Sequence, residues 1–589
     1  GVKPWNLSSH PDDDTAPHWS PDGRKIVFTS RRRMLDETDV WVAWLRREDV
    51  ERTERERLEA EERKEKAEGK EDEKEDEDDE DDEGEDEKEE EDVMDPIQID
   101  FEGLSQRIHR LTRREGNESA LGWGADSETI YFNAFTGTRL TTSTTAETGF
   151  FSTDLWEKEE KNLSDKTASS FTRHDKEAWY VRDEKIRSRG KKEKAHDFSV
   201  HLREDRLAMR RTVMNQGWRV LDRWFYDPSF HGHDWLGSLE KWSPVLLTAS
   251  TPEDFNQLMN WMLGEMNASH MGYFRGATSG AKETDSTKTG ELGVLWDHGF
   301  EGPGRRIADV LPQSPASRAD SSLRAGDVVL GVNQRIIQGV VGLDELLAGT
   351  VEQETLLHVA DASGEEREVL IRPTSISFLR EALYEKRERD LRARASDATD
   401  GKIGYIHIQG MSTPSLLEFE RELYAAAEGR EALIIDVREN GGGWTTDMLL
   451  SMLQVNDHAF TIPRGGGVGY PQGRRVFGTW NQPIIVLCNQ NSYSNAEIFS
   501  WAIKTLKRGT LVGMPTYGAV ISTGGVTLLD GSFVRMPFRG WYVNDANHTN
   551  MELNGCPPDY LVEDLPGDFA KGLDRQLEKA LQVGLELVQ

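Results

Sequence analysis

The chain has 589 residues and a formal net charge of −34. That length exceeds what one hydrophobic core can organise, so several domains are expected. The charge argues against nucleic acid as a partner, because phosphate binding needs a basic face. Two cysteines, Cys488 and Cys556, make no disulfide framework and give no zinc spacing. No apolar run approaches the roughly 18 residues of a membrane helix, and no signal peptide is legible. A cytoplasmic location is therefore expected. A periplasmic one is the alternative, because the chain opens on Gly1 rather than Met.

The N-terminal part repeats itself. NLSSHPDDDTAPHWSPDGRKIVFTS, from Asn6, aligns with RLTRREGNESALGWGADSETIYFNA, from Arg110. Ala16, Trp19, Asp22, Ile26 and Phe28 match Ala120, Trp123, Asp126, Ile130 and Phe132 at one offset. A weaker third copy runs from NLSDKTASSF to EAWYVRD. Units of about 40 residues made of short strands predict propeller blades. Three blades cannot close a ring, so the propeller is partial. An ordinary β-meander is the alternative. Glu48 to Asp95 interrupts the first unit and is almost entirely Glu, Asp and Lys. Such a stretch cannot bury apolar surface and reads as a disordered or solvated helical insertion.

From Phe198 apolar residues recur at helical spacing, in LREDRLAMRRTVMNQGWRVLDRWF and again in PEDFNQLMNWMLGEM. Strands return from about Glu291. There, ELGV and LRAGDVVLGVNQ resemble the carboxylate-binding loop and a characteristic strand of PDZ domains, which bind peptides by strand addition. A spacer role for this module is the alternative. From Gly401 the pattern is α/β, with GKIGYIHIQG, ALIIDVREN, PIIVLCNQ and GTLVGMP as buried-strand candidates. The expected organisation is a partial β-propeller over 1–196 with its insertion at about 48–95, an α-helical domain over 197–284, a PDZ domain over 285–375 and an α/β core over 376–589.

The candidate chemistry lies in that core. In NQNSYSNAEIFSWAIKTLKR, from Asn489, Ser494 and Glu497 have the spacing of a helix capping box. A strand, a sharp turn and a helix N-terminus also suit a nucleophile. The turn exposes the hydroxyl, and the free N–H groups face developing negative charge. DVRENGGGWTTD puts Gly441, Gly442 and Gly443 after another strand. Backbone N–H groups unshielded by side chains can there line an oxyanion hole, at the strand ends where open α/β sheets place their sites.

IIDVRENGGG, VLCNQNSYSNAEIF and LVGMPTYGAV together resemble the tail-specific protease family of serine peptidases. One branch uses a serine–lysine dyad, with the lysine in a segment similar to YGAV. Ala519 holds that place here. The tricorn branch uses a histidine from a helical domain instead, and GEMNASHMGYF resembles its motif, with Ser269 and His270 at the matched positions. NMELNGCPPDYLVED resembles the segment carrying a catalytic glutamate, here Glu552. His231 and His233 match no catalytic position.

The resemblance implies acyl transfer, which requires no metal or other cofactor. Ser494 attacks a peptide carbonyl, His270 takes its proton, Ser269 and Glu552 orient the histidine, and the N–H groups of Gly443 and Asn495 hold the oxyanion. It implies peptide or unfolded protein substrates and a homo-hexamer. It covers most of the chain, with two departures: tricorns carry two propellers before the catalytic part, and the acidic residue that binds basic side chains in the family falls on Thr461 here, with Asp457 nearby. A PDZ-containing peptide-binding scaffold without activity and a hydrolase of small esters are the rival readings.

Overall fold

The computed structural model describes residues 6–7, 14–32, 37–51, 97–114, 116–135, 147–156, 160–174, 177–190, 192–201, 203–276, 287–338, 342–454, 462, 464 and 478–588. Most of the acidic stretch at 48–95 and the whole of Asp457–Thr461 lie outside them. The chain divides into two units, Gly1–Leu202 and Arg203–Gln589.

The first unit contains three antiparallel four-stranded sheets. The first holds β1 (Asp14–Trp19), β2 (Lys25–Ser30), β3 (Asp39–Trp44) and β4 (Ile108–Arg110), with the short helix α1 (Arg47–Glu51) following β3. The second holds β5 (Asn117–Trp123), β6 (Thr129–Phe135), β7 (Gly149–Asp154) and β8 (Glu160–Ser164). The third holds β9 (Ser169–His174), β10 (Glu177–Arg182), β11 (Lys185–Arg189) and β12 (Glu193–His196). The sequence repeat reappears as a repeated turn. Asp22 accepts the Arg24 N–H at 3.0 Å and Asp126 accepts the Glu128 N–H at 2.9 Å. The residue after each aspartate, Gly23 or Ser127, is left-handed. An aspartate that bonds its own backbone two residues on is a turn former, which is why it recurs there. Trp123 is buried where its counterpart Trp19 is exposed. It packs on the preceding sheet and donates Nε1–H to the His18 carbonyl at 2.9 Å.

The second unit begins with α2 (Arg206–Trp224), α3 (Trp235–Leu246) and α4 (Pro252–Gly264). Asp205, Asp234 and Thr251 cap their N-termini. Their apolar faces do not close on one another alone. Met214, Leu221, Met259 and Met262 share a core with Leu528, Val534 and Met536 from far downstream. The short strand β13 (Gly272–Phe274) follows. Then come β14 (Val294–Trp296), β15 (Arg305–Val310), β16 (Val328–Val332), β17 (Arg335–Ile336), α5 (Leu343–Leu346), β18 (Thr355–Ala360) and β19 (Glu366–Ile371). Their strands form a separate antiparallel sheet in the order β14-β15-β16-β18-β19, with β17 on β16.

After α6 (Ile376–Ala398), the four apolar runs foreseen as buried strands form a parallel sheet. They are β20 (Ile403–His407), β21 (Ala432–Asp436), β22 (Ile484–Cys488) and β23 (Thr510–Gly513). β26 (Tyr560–Leu561) completes the order β20-β21-β22-β23-β26. One face is covered by α7 (Thr413–Ala425), α8 (Thr446–Gln454) and α9 (Asn495–Thr505), and the other by α6 and α10 (Arg575–Leu587). Burial on both faces accounts for the unbroken apolar runs. The hairpin β24 (Ile521–Thr527) and β25 (Phe533–Gly540) leaves this core and pairs with β13 in the order β13-β25-β24.

At the end of β21 the fully buried Asp436 accepts the Tyr405 hydroxyl at 2.7 Å and a forked contact from Arg438, whose Nη2 lies 2.6 Å away. Arg438 also reaches Asp574 at 3.0 Å, and Asp574 caps α10. Burial raises the Asp436 pKa, but the Arg438 charge more than reverses this and leaves it at about 2. Removing one partner of a buried pair strands the other charge, at a typical cost of about 3–5 kcal/mol. Asp436→Ala is therefore expected to lower the free energy of unfolding by an amount of that order, read as a lower urea midpoint. An unchanged midpoint would contradict this account.

Candidate active site

Ser494 stands at the sharp turn between β22 and α9. Its φ is 56° and ψ −115°, a conformation that costs a non-glycine residue about 1–3 kcal/mol. The surrounding bonds hold it there. The Ser494 N–H donates to Glu497 Oε1 at 3.0 Å, and the Glu497 N–H donates to the Ser494 carbonyl at 2.9 Å. Glu497 is fully buried and also accepts the Ala519 N–H at 2.9 Å, the Thr516 hydroxyl at 2.8 Å and the Gly518 N–H. Burial pushes its carboxyl up, and these donors favour the ionised form against it. The neighbouring Ser492 is structural, since its hydroxyl donates to the Val437 carbonyl at 2.8 Å.

The Ser494 hydroxyl faces the imidazole, 3.2 Å from His270 Nε2. On the far side of the ring, His270 Nδ1 lies 2.7 Å from Ser269 Oγ, which donates to Glu552 Oε2 at 2.9 Å. Glu552 Oε1 accepts the Ser269 N–H at 2.6 Å, and Oε2 also accepts the Val520 N–H at 2.9 Å. Because the Ser269 proton points at the carboxylate, its oxygen accepts from Nδ1–H, which leaves the lone pair of Nε2 for Ser494. The four residues expected from the sequence therefore form one directed line of hydrogen bonds.

The line draws on segments far apart in the chain. His270 itself is left-handed, with φ 58°, at the turn between α4 and β13. The antiparallel pairing of Gly272 with Arg535 and of Phe274 with Phe533 fixes that turn against the core. Tyr493 stacks on the imidazole, with ring centroids 4.9 Å apart and planes 20° apart, and its hydroxyl lies 3.2 Å from Nδ1. Tyr517 meets Tyr493 edge-on. Burial disfavours the imidazolium, and the Arg535 charge adds to this, so the His270 pKa falls to about 4.

The glycine loop comes close to Ser494. A Cβ on Gly442 would lie 2.7 Å from Ser494 Cβ and 2.9 Å from the Asn495 nitrogen, and φ is +85°. One on Gly443, at φ +145°, would strike the Met411 carbonyl. Both positions thus require glycine. The Gly442 N–H is held by Asn440 Oδ1 at 2.9 Å. Asn495 opens α9, where an N–H has no partner within the helix, and its side chain is turned away onto Thr446 at 3.0 Å.

Other expected or rejected residues are also accounted for. Ala519 is buried, and Lys504 is engaged with Asp559 at 2.7 Å, away from Ser494. His231 and His233 are bound to Tyr226 and Ser238, each at 2.6 Å. Thr461 lies outside the described residues. Sequence reasoning missed Tyr493 and Arg535 and gave Glu497 only a capping role. Of these, only the capping-box spacing of Glu497 left a local signal. Among the described residues no group of three or more His, Cys, Asp or Glu side chains is disposed to hold a metal.

Residues 402–562 match peptidase family S41, and residues 207–264 match the tricorn protease C1 domain. The chain carries a peptidase family S41 domain preceded by a tricorn protease C1 domain. It is 28% identical over 396 residues to tricorn protease homolog 1 of Streptomyces coelicolor, covering 64% of this chain and 35% of that protein. It is 27% identical over 367 residues to the tricorn protease of Thermoplasma volcanium, covering 59% of this chain and 33% of that one. The chain thus spans about a third of the length of these relatives. The crystal structure of the tricorn protease superposes on 99% of this chain and 55% of its own, with a TM-score of 0.72 at 17% identity, a likeness of fold. The fold is multidomain and sheet-rich, like that of the tricorn protease.

A cysteine nucleophile does not fit this site. Cys488 and Cys556 are buried, which pushes the Cys488 thiol up to about 12 and Cys556 higher still. Iodoacetamide is expected to leave the native protein unalkylated at pH 8, as read by intact mass. Rapid alkylation of either cysteine would contradict the burial described.

Proposed function

We propose that this chain is a serine endopeptidase that hydrolyses unfolded peptides through an acyl-enzyme on Ser494. The carrying observation is the unbroken line from Glu552 through Ser269 and His270 to Ser494. The imidazole takes the Ser494 proton as the hydroxyl attacks the scissile carbonyl, then returns it to the leaving amine. The imidazolium formed is stabilised through Ser269 by the Glu552 carboxylate. The Gly443 and Asn495 N–H groups receive the developing oxyanion, and loss of one such donor typically costs about 10²–10³ in turnover. Water then attacks the ester to release the acyl half.

The same reading takes the three sheets of the first unit as part of a β-propeller and the 291–373 sheet as a PDZ module. It carries over a homo-hexamer from the family resemblance, and it keeps the cytoplasmic location expected from the sequence. Thr461 belongs to the same proposal as a substrate-binding residue, at the place where the family has an acidic one.

A fluorophosphonate probe is expected to label Ser494 in the native protein, and His270→Ala to cut the labelling rate at least about 10²-fold. Equal labelling of both would remove His270 from the role of base. An unlabelled but folded wild type would favour a peptide-binding scaffold. Turnover of peptides well above that of simple esters separates the peptidase from the esterase reading.

With the His270 pKa at about 4, the base is neutral above that value and charged below it. Thus kcat/KM is expected to hold through pH 5–6 and to fall only near pH 4. A limb at the ordinary histidine value, about 6.5, would show that His270 is more solvated than described.

A further inference from the structure

Arg535 lies in the middle of β25, opposite Gly272 of β13 and Gly525 of β24. Directly opposed residues share a face of the sheet; neither glycine contributes a side chain, and the rings of Phe274 and Phe533 lie over them instead. The guanidinium leans along the sheet to Thr523, with Nε and Nη2 at 3.3 and 3.2 Å from the hydroxyl. Thr523 is paired with Pro537. Gly272 follows His270 by two residues, so Arg535 stands opposite the end of the turn that carries the imidazole. Its field reaches both His270 and Tyr493.

A hydroxyl is its only described partner, and it can accept only part of what five guanidinium N–H donors offer. Among the described residues Arg535 makes no ion pair, while Arg438 in the same unit has two carboxylates. A half-buried guanidinium with forked donors to spare, next to a reacting centre, is matched by a carboxylate.

We propose that Arg535 recognises a carboxylate of the peptide substrate close to the scissile bond, an Asp or Glu side chain or a free C-terminus. This rests on the peptidase reading above. The test uses fluorogenic peptides in which each position from three before to three after the cleaved bond is Glu or Gln in turn. A parallel set carries a free or an amidated C-terminus close to that bond. One position is expected to favour the carboxylate by about tenfold or more in kcat/KM, the size of a charge-assisted hydrogen bond. A preference in the first set assigns it to a side chain, and one in the second to the chain end. Arg535→Gln is expected to abolish that preference and Arg535→Lys to retain part of it, with fluorophosphonate labelling of Ser494 measured alongside to separate lost recognition from a changed nucleophile. Cleavage without discrimination, or the same preference in Arg535→Gln, would overturn the proposal alone. Failure of the wild type to cut any peptide would overturn the peptidase reading and this proposal with it.

Discussion

The Glu552 carboxylate accepts from Ser269 twice and from the Val520 backbone once. One buried group thereby ties the turn after α4 to the core sheet's own loops. Glu497 makes the matching tie on the nucleophile side, gathering Ser494, Thr516, Gly518 and Ala519. The two carboxylates meet along three successive amides, since Gly518 and Ala519 donate to one and Val520 to the other. In the lysine-using branch this segment carries the base. Here its backbone sets the distance between nucleophile and imidazole.

This arrangement explains how two strained residues persist side by side. Ser494 and His270 both have positive φ without being glycine, and such conformations survive only when their surroundings over-determine them. Ser494 is held from below by Glu497 and the start of α9. His270 is held by Ser269 on Glu552, by β13 on β25, and by the Tyr493 ring. Strain so distributed keeps the hydroxyl and the imidazole presented without solvent reorganisation, which is the condition for electrostatic preorganisation.

Much of this is legible in the amino-acid sequence. The parallel strands announce themselves as unbroken apolar runs, the repeated turns as recurring aspartates, and the four residues of the hydrogen-bonded line as motifs of a family. What stays hidden there is what depends on contacts across the chain. Tyr493 reads as one more aromatic beside a serine until it is seen stacked on the ring of His270. Arg535 reads as a surface arginine in an alternating strand, and only its register shows it opposite two glycines at the end of the His270 turn. Glu497 is visible as a cap, but the capping-box spacing cannot disclose that the same carboxylate also reaches the Gly518–Ala519 turn.

The histidine precedes the serine by 224 residues, and Ser269 precedes Glu552 by 283. Synthesis runs from the N-terminus, so the imidazole leaves the ribosome long before its hydroxyl partner, and the glutamate that orients it comes later still. β25, which seats the histidine's strand, also follows the serine. A nascent chain of this protein therefore cannot complete the line from Glu552 to Ser494 until nearly all of this sequence has been made.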